Sequence, residues 1–479
     1  FDDENFIDKI NYFIERNKTS TLLQSLKNSK TQKIANVPDS LLQRENKIRE
    51  NINIFNQKIS EATSKQEESF YREKLLVEQV NFKNIINYYK NNYPNYYKAK
   101  YNITPSKVSN LQRLIDEETV IINYAVAGDR LFAFVITKNH REIFVTPFNS
   151  SDKSDINDMN TALLSYKGAD IKKYTQLSFR LFQKLFFFVI PDNIKNMIII
   201  PIDIIGTVPF EALQTSEYTD DFAKIDLSKL PYLIKHYSIS YSYSTTLLYE
   251  TMNIDYSNSN REDIVALAPV FKPDNPQTFN YKDIETIIGS EIEIQNIIDF
   301  AHKNKLSSVI LSNKEANEYK LKKLVNSNAF KIVHIATHGF VNFENPELSA
   351  LILSKDGMNI EDGILYSGEI YNLKLKSELI NLSACETARG KFSKGEGVIG
   401  LSRAFIYAGA KNLIISLWKV SDISTTKEME LFYKHLLNEY PNLQGNIQFS
   451  KALQQAKLDM INSKFSHPYF WSPFILIGM

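Results

Sequence analysis

The sequence predicts an α/β fold: a mostly parallel sheet with helices on both faces, preceded by a helical region. Three observations carry this. Up to about residue 100, apolar side chains recur at helical spacing. From about Ser106, short β-branched and aromatic runs begin to alternate with helical stretches. In the last part of the chain such runs recur with helices between most of them, the pattern of parallel strands covered on both faces.

The elements follow in order. Within Asp39 to Ala62, the residues Ile48, Ile52, Phe55, Ile59 and Ala62 form a heptad-like stripe, and Asp39 or Ser40 is the expected cap. A second stretch, about Gln66 to Asn91, sets Leu75, Phe82, Ile86 and Tyr89 on one face and ends before Tyr93-Pro94. The two read as antiparallel helices joined near Ser64-Lys65, and their stripes as a packing seam rather than a cofactor site. Val120–Tyr124 and Leu131–Ile136 flank Ala127-Gly128-Asp129, a hairpin that Ile143-Phe144-Val145 extends. A helical segment, about Thr175 to Phe188, leads to strands at Met197–Pro201 and Tyr237–Tyr243. The polar run Asp255 to Asp263, with Arg261 in it, reads as a linker. Beyond it come a strand at Ile264–Leu267, a helix near Ser290 to Lys303, and strands at Val309, Ile332, Leu351, Leu379 and Leu413. Three regions are expected: 1–105, 106–255 and 256–479.

Size and composition bound the function. At 479 residues the chain is too long for one core. Its 56 basic against 55 acidic residues give neither a nucleic-acid footprint nor an acidic-substrate trap. One cysteine rules out internal disulfides and fits a reducing compartment, so a cytoplasmic location is expected. The longest apolar run, Met197 to Ile202, is cut by Pro201 and Asp203 and falls short of a membrane span. Because the chain starts at Phe1, a trimmed fragment is expected, with any upstream domain out of view.

The chemistry concentrates at two strand ends. Cys385, the only cysteine, follows the apolar run Leu379-Ile380-Asn381-Leu382, and His338 follows Ile332 to Thr337, 47 residues upstream. A thiol nucleophile needs a nearby base or positive field, and in a parallel sheet catalytic groups gather beyond the carboxyl ends of the strands. A histidine about 50 residues before the cysteine is also the caspase arrangement. A free cysteine is commonly a small buried hydrophobe, and the histidine at a second strand end is what turns Cys385 into a candidate nucleophile. Gly339 beside His338 permits close backbone approach. His334 lies about 13 Å further from the carboxyl end and reads as a hydrogen-bonded core residue. His140, His236, His302 and His435 have no supporting context, and His467, in His467-Pro468-Tyr469-Phe470-Trp471, reads as a packing corner. The backbone N–H groups of Gly339 and Cys385 are the candidate oxyanion donors. The run Ala388 to Gly397 lacks the order of a phosphate-binding loop and reads as a loop bordering the cysteine. No metal-ligand cluster, nucleophile elbow or dinucleotide fingerprint is present, so no metal and no cofactor is expected.

From roughly residue 110 onward the chain resembles a CHAT domain, a caspase-like peptidase module of the clan that includes caspases and separase. The resemblance rests on Ile332 to Gly339, Ser383 to Thr387, Gly395 to Phe405, Ala408-Gly409-Ala410, Leu417 to Asp422 and His467 to Gly478. It also rests on Pro201 to Leu213, containing Val208-Pro209-Phe210-Glu211-Ala212-Leu213, and on Ala268 to Phe271. It implies a Cys–His dyad, here Cys385 and His338, and frequent fusion to upstream tetratricopeptide repeats. No 34-residue repeat is visible in the first 100 residues. Caspases carry Gln-Ala-Cys and metacaspases an acidic residue two before the cysteine. Ser383 is neutral, so neither specificity transfers.

The expected function is therefore a cysteine endopeptidase that cleaves a protein partner and is regulated by an upstream repeat domain or a partner sensor, with bacterial regulation or defence suggested by the resemblance. The alternative is a catalytically silent caspase-like scaffold that binds protein partners. An acyltransferase using the same thiol is a third reading. No nucleic acid and no membrane is an expected partner. In caspase-like enzymes an extended peptide joins the sheet as a strand; here Ser383, Ser416 and Trp418 are candidate groove residues. Asp422 either faces the groove or caps the helix expected near Ser424. Residues 106–255 are expected to form a degenerate, non-catalytic half, with Pro201-Ile202-Asp203 where a nucleophile would stand, packed against the catalytic half.

Overall fold

The structure, a computed structural model, describes residues 4–19, 38–62, 64–93, 105–165, 168–219, 221–257, 259–269, 288–340, 349–355, 361–370, 373–384, 396–418, 421–444 and 448–479. It divides into two compact units, one of residues 9–105 and one of residues 1–8 with 106–479.

The smaller unit holds α1 (Glu4–Thr19) from Lys9 onward, α2 (Asp39–Glu61) and α3 (Lys65–Asn92). The last two are antiparallel: Tyr89 donates to the Leu41 carbonyl at 3.0 Å, and Asn51 to Glu78 at 2.8 Å. Ile48, Ile85 and Tyr89 are buried between them, with Leu41, Ile52, Phe82 and Tyr93 packed alongside. Ile85 is buried in place of the expected Ile86, and Tyr89 is the deepest residue of the seam. Ser64 caps α3, accepting from the Glu67 N–H at 3.2 Å. The expected cap of α2 is not formed: Pro38 stands at the cap position and Asp39 is already helical.

The larger unit is built on one sheet of thirteen strands. After α4 (Val108–Leu114), the meander β1 (Thr119–Ala127), β2 (Arg130–Ile136) and β3 (Arg141–Pro147) follows, then α5 (Ser150–Ser165) and α6 (Gly168–Leu185). Ala127 pairs with Arg130, so Gly128-Asp129 is a two-residue turn, and Gly128 at φ +61° supplies the conformation it requires. β4 (Asn196–Ile200), β5 (Ser238–Tyr241) and α7 (Thr245–Met252) complete this part. α6 begins before the expected Thr175, and α5 is an additional helix.

The remaining elements are β6 (Arg261–Ala268), α8 (Ile288–Lys303), β7 (Ser308–Ser312), α9 (Glu318–Ser327), β8 (Ala329–Phe340), β9 (Ala350–Ile352) and β10 (Ile364–Tyr366). They continue with α10 (Ser367–Ile370), β11 (Ser377–Ala384), α11 (Glu396–Ala408), β12 (Ala410–Ser416), α12 (Asp422–Glu439), α13 (Phe449–Ile461), α14 (Pro468–Trp471) and β13 (Phe474–Ile477). Arg261 to Asp263, expected as linker, open β6, where Arg261 pairs with Ala329 of β8. Polar composition did not prevent pairing because the side chains find charges: Arg261 meets Glu378 at 2.8 Å and Asp263 meets Lys331 at 2.7 Å.

Across the sheet the order is β7-β6-β8-β11-β12-β13-β5-β4-β1-β2-β3, with β9 and β10 attached to the far end of β8. β7, β6, β8, β11 and β12 are mutually parallel, and β13 turns antiparallel to β12. β13 is parallel to β5, which joins β4 and β1 in parallel. Residues 106–255 therefore contribute five strands to the same sheet as residues 261–479. Helices cover both faces: Val108, Leu111 and Leu248 pack with Ile121, Ile198 and Ile200, while Ile294 and Ile298 of α8 pack on Ala266, Ala268 and Ala336.

Candidate active site

β8 and β11 carry the site. Their parallel register sets His334 opposite Asn381, Ala336 opposite Ser383 and Thr337 opposite Ala384. Paired residues of adjacent strands share a face, so His334, Ala336, His338, Asn381 and Ser383 all lie on the face that α8 and α12 cover. Contacts agree with this: His334 Nδ1 is 3.1 Å from the Tyr433 hydroxyl of α12, its Nε2 lies 2.9 Å from Glu293 of α8, and Asn381 Nδ2 is 3.2 Å from Met429 Sδ. His334 is fully buried, a core histidine as expected.

β8 does not stop at His338. It continues to Phe340, and His338, Gly339 and Phe340 pair with Ile352, Leu351 and Ala350 of β9. On the edge away from β11, β6 pairs with β8 as far as Ile335, and β9 takes up the ladder beyond it. His338 is 9% exposed. Thr337, on the opposite face, donates to the Ile352 carbonyl and fixes the approach of β9.

Two helix N-termini are aimed at this end. α8 and α12 both begin there, and they touch: Thr426 Oγ1 donates to the Gly289 carbonyl at 3.2 Å, and a side chain on Gly289 would collide with Thr426. Each brings the positive end of its dipole to this end. Stepping from Met429 to Thr425 along α12 matches stepping from Asn381 to Ser383 along β11. The hydroxyls of Ser383 and Thr425 are buried there and have no partner among the described residues.

The other expected residues divide. Ser416 is fully buried at the end of β12. Trp418 is 4% exposed and donates to the Tyr469 carbonyl at 3.2 Å, which makes it a core side chain. α12 begins at Asp422, two residues before the expected start, with Ser421 in the cap position. His467 accepts from the Tyr469 N–H at 3.1 Å and caps α14, and burial holds its pKa down at about 4. His435 lies 2.9 Å from Asp459 and His302 3.2 Å from Ser308, both away from the site. Cys385, Lys419-Val420 and residues 388–395 lie outside the described residues, whereas Glu396 and Gly397, expected as the end of a loop, open α11.

Glu318, Glu361 and Glu369 converge beyond β9 and β10, with carboxylate oxygens within 4.8 Å of one another. The ammonium of Lys322 sits among them, at 2.6, 3.1 and 2.7 Å. Burial pushes Glu318 up to about 7 against the pull of that ammonium. A second cluster was not anticipated: Glu211 and Lys457 are buried 3.2 Å apart, with Glu428 buried beside them. The only sequence signal was Glu211's place in Val208 to Leu213.

Residues 175–479, more than half of the chain, match the CHAT domain. Tetratricopeptide repeat protein 28 of Homo sapiens is 33% identical over 132 residues, 26% of this chain and 5% of that protein. Its Mus musculus counterpart is 33% identical over 116 residues, 24% of this chain and 4% of that protein. The chain thus spans about 5% of the length of the curated relatives it matches. Among solved structures, the Arg-specific cysteine proteinase gingipain R is similar at a TM-score of 0.39 and 11% identity, over 68% of this chain and 74% of that one. The Saccharomyces cerevisiae separase–securin complex is similar at a TM-score of 0.36 and 14% identity, over 92% of this chain and 28% of that one. Among the described residues no helix is long and apolar enough to cross a membrane.

Proposed function

The chain belongs to the CHAT domain family, and we propose that it is a cysteine endopeptidase whose nucleophile is Cys385 and whose base is His338. One observation carries this reading: the last parallel pair of β8 and β11 is Thr337 with Ala384, so His338 and Cys385 are the next residue of each chain. Parallel neighbours are about 4.8 Å apart, so a Cys385 that continues this ladder has its thiol within reach of the imidazole. The paired helix N-termini on the same face supply the positive field that favours thiolate.

In the proposed reaction His338 takes the thiol proton, and the thiolate adds to the scissile carbonyl. The oxyanion is met by the backbone N–H groups of Gly339 and Cys385. Collapse breaks the C–N bond, the amine leaves with the proton from His338, and water then hydrolyses the thioester. The indole of Trp418 is bonded to the Tyr469 carbonyl in the core, and Ser383 and Ser416, each two residues beyond the pair Asn381–Ile414, share the site's face. Residues 106–255 are read as the non-catalytic half, and a protein partner as both substrate and regulator.

The test is labelling by a peptide with a thiol-reactive warhead. Wild type is expected to be labelled once, Cys385→Ala not at all, and His338→Ala at a rate lower by about 10²–10⁴-fold, the usual share of a general base. Labelling of His338→Ala at the wild-type rate would sink the dyad, and a wild type inert to every warhead leaves the partner-binding scaffold as the reading.

A further inference from the structure

The buried charges around Glu211 lie where residues 106–255 meet the strands of the proposed catalytic half. Glu211 is 1% exposed, in the turn of residues 210–212. One of its oxygens accepts from the Tyr241 hydroxyl at the end of β5, and that hydroxyl in turn accepts from the Phe210 N–H at 3.1 Å. The other oxygen faces Lys457 of α13, itself 1% exposed, whose ammonium also donates to the Phe474 carbonyl of β13. Glu428 of α12 completes the group. It is fully buried, both oxygens lack a hydrogen-bond partner among the described residues, and Lys457 and Glu211 are the charges acting on it.

One lysine therefore stands between two carboxyl groups, and only one of them is bonded to it. The second belongs to α12, and α12 is the helix whose Met429 and Tyr433 rest on Asn381 and His334 and whose first turns stand over the end of β11. Resting on the assignment of Cys385 and His338, we propose that Glu211 is a positioning residue for that site: by holding Lys457 it keeps that ammonium off Glu428 and α12 in its seat. Loss of Glu211 transfers Lys457 to Glu428 and shifts the helix N-terminus that polarises the thiol. Residues 106–255 thereby act on the chemistry while supplying no reacting group. Burial, ahead of the opposing pull of Lys457, holds Glu428 well above the usual carboxylate range, and the nearby Glu211 charge adds to it.

The experiment compares Glu211→Gln, Glu428→Gln and the double variant in the full chain, by thermal unfolding and by iodoacetamide alkylation of Cys385, the single thiol, across pH. Each single variant is expected to keep a carboxylate for Lys457 and to unfold within about 3 °C of wild type. The double variant strands the lysine and should unfold at least about 6 °C lower, beyond the sum of the singles. Glu211→Gln should change the alkylation rate by about two- to thirtyfold and move its pH midpoint. Additive unfolding shifts, or an alkylation profile identical to wild type in folded Glu211→Gln, would overturn the proposal. If Glu211→Gln does not fold, Tyr241→Phe, which removes the hydroxyl that orients Glu211 and accepts from the Phe210 N–H, must move the same midpoint in the same direction. Alkylation reads the thiol whatever the protein does to peptides. A wild type inert to peptide warheads with a midpoint that still moves fails the peptidase reading and keeps this one.

Discussion

Lys322→Met removes one ammonium from three carboxylates, and its effect should depend on pH in a way the structure sets. Glu318 has 1% of its side chain exposed, whereas Glu361 and Glu369 have 26% and 37%. The two half-exposed pairs are worth about 0.5 kcal/mol each at any pH above 5. Glu318 behaves differently. Its folded pKa of about 7 exceeds its ordinary 4.5, so the proton it keeps on folding stabilises fully below 4.5 and that benefit is gone above 7. At pH 8 wild type already carries about 3.4 kcal/mol of that loss, and a Glu318 deprived of its lysine and kept fully protonated would carry about 4.8. The difference is about 1.4 kcal/mol, reduced to about 1 by the solvent around its two partners. At pH 5 both forms are protonated and it vanishes. Lys322→Met should thus lower stability by about 2 kcal/mol at pH 8 and about 1 at pH 5, near 4 °C and 2 °C in Tm. Differential scanning fluorimetry at both pH values measures this, and an equal loss at the two would refute the assignment of the buried carboxyl.

Two further perturbations report on other parts of the fold. His467 is held neutral with a pKa of about 4 against an ordinary 6.5, so stability is present above 6.5 and is lost as pH falls through 4. His467→Asn keeps a cap acceptor and should remove up to about 3 kcal/mol of acid destabilisation in that window; a denaturant midpoint series that falls as steeply as wild type would contradict it. Gly409 has φ +115°, and a side chain there would strike the Leu375 carbonyl oxygen. Gly409→Ala should lower unfolding free energy by about 3 kcal/mol or more, and a midpoint unchanged in urea would show that the turn is not built this way.

What was legible in the sequence followed from local pattern. The hairpin was readable because only Gly128 satisfies its turn, and β8 and β11 because fully buried parallel strands are continuous apolar runs. α5 was missed because Ser150–Ser165 is rich in Ser, Asp and Asn, which favour turns, while its buried side chains are only Ile156, Met159, Asn160, Ala162 and Leu163. Trp418 could not be assigned to groove or core from hydropathy, which is the same for both. The Glu211–Lys457 pair was invisible because 246 residues separate its members and only the meeting of α13 with the turn after β4 joins them.

The place of β13 has a consequence for how the chain can be divided. On one side β13 pairs with β12; on the other Ile477 meets Tyr241, and the Gly478 N–H donates to the Tyr241 carbonyl at 2.8 Å. Separation between residues 255 and 261 would strip both β13 and β5 of a neighbour and bare two apolar ladders, each a template for adhesion between molecules. Fragments made at that boundary would be sticky alone yet complementary to each other. A nick in this polar stretch is therefore better tolerated than the loss of either piece, and insertions belong there or beside β3 and β7, the outer strands among the described residues.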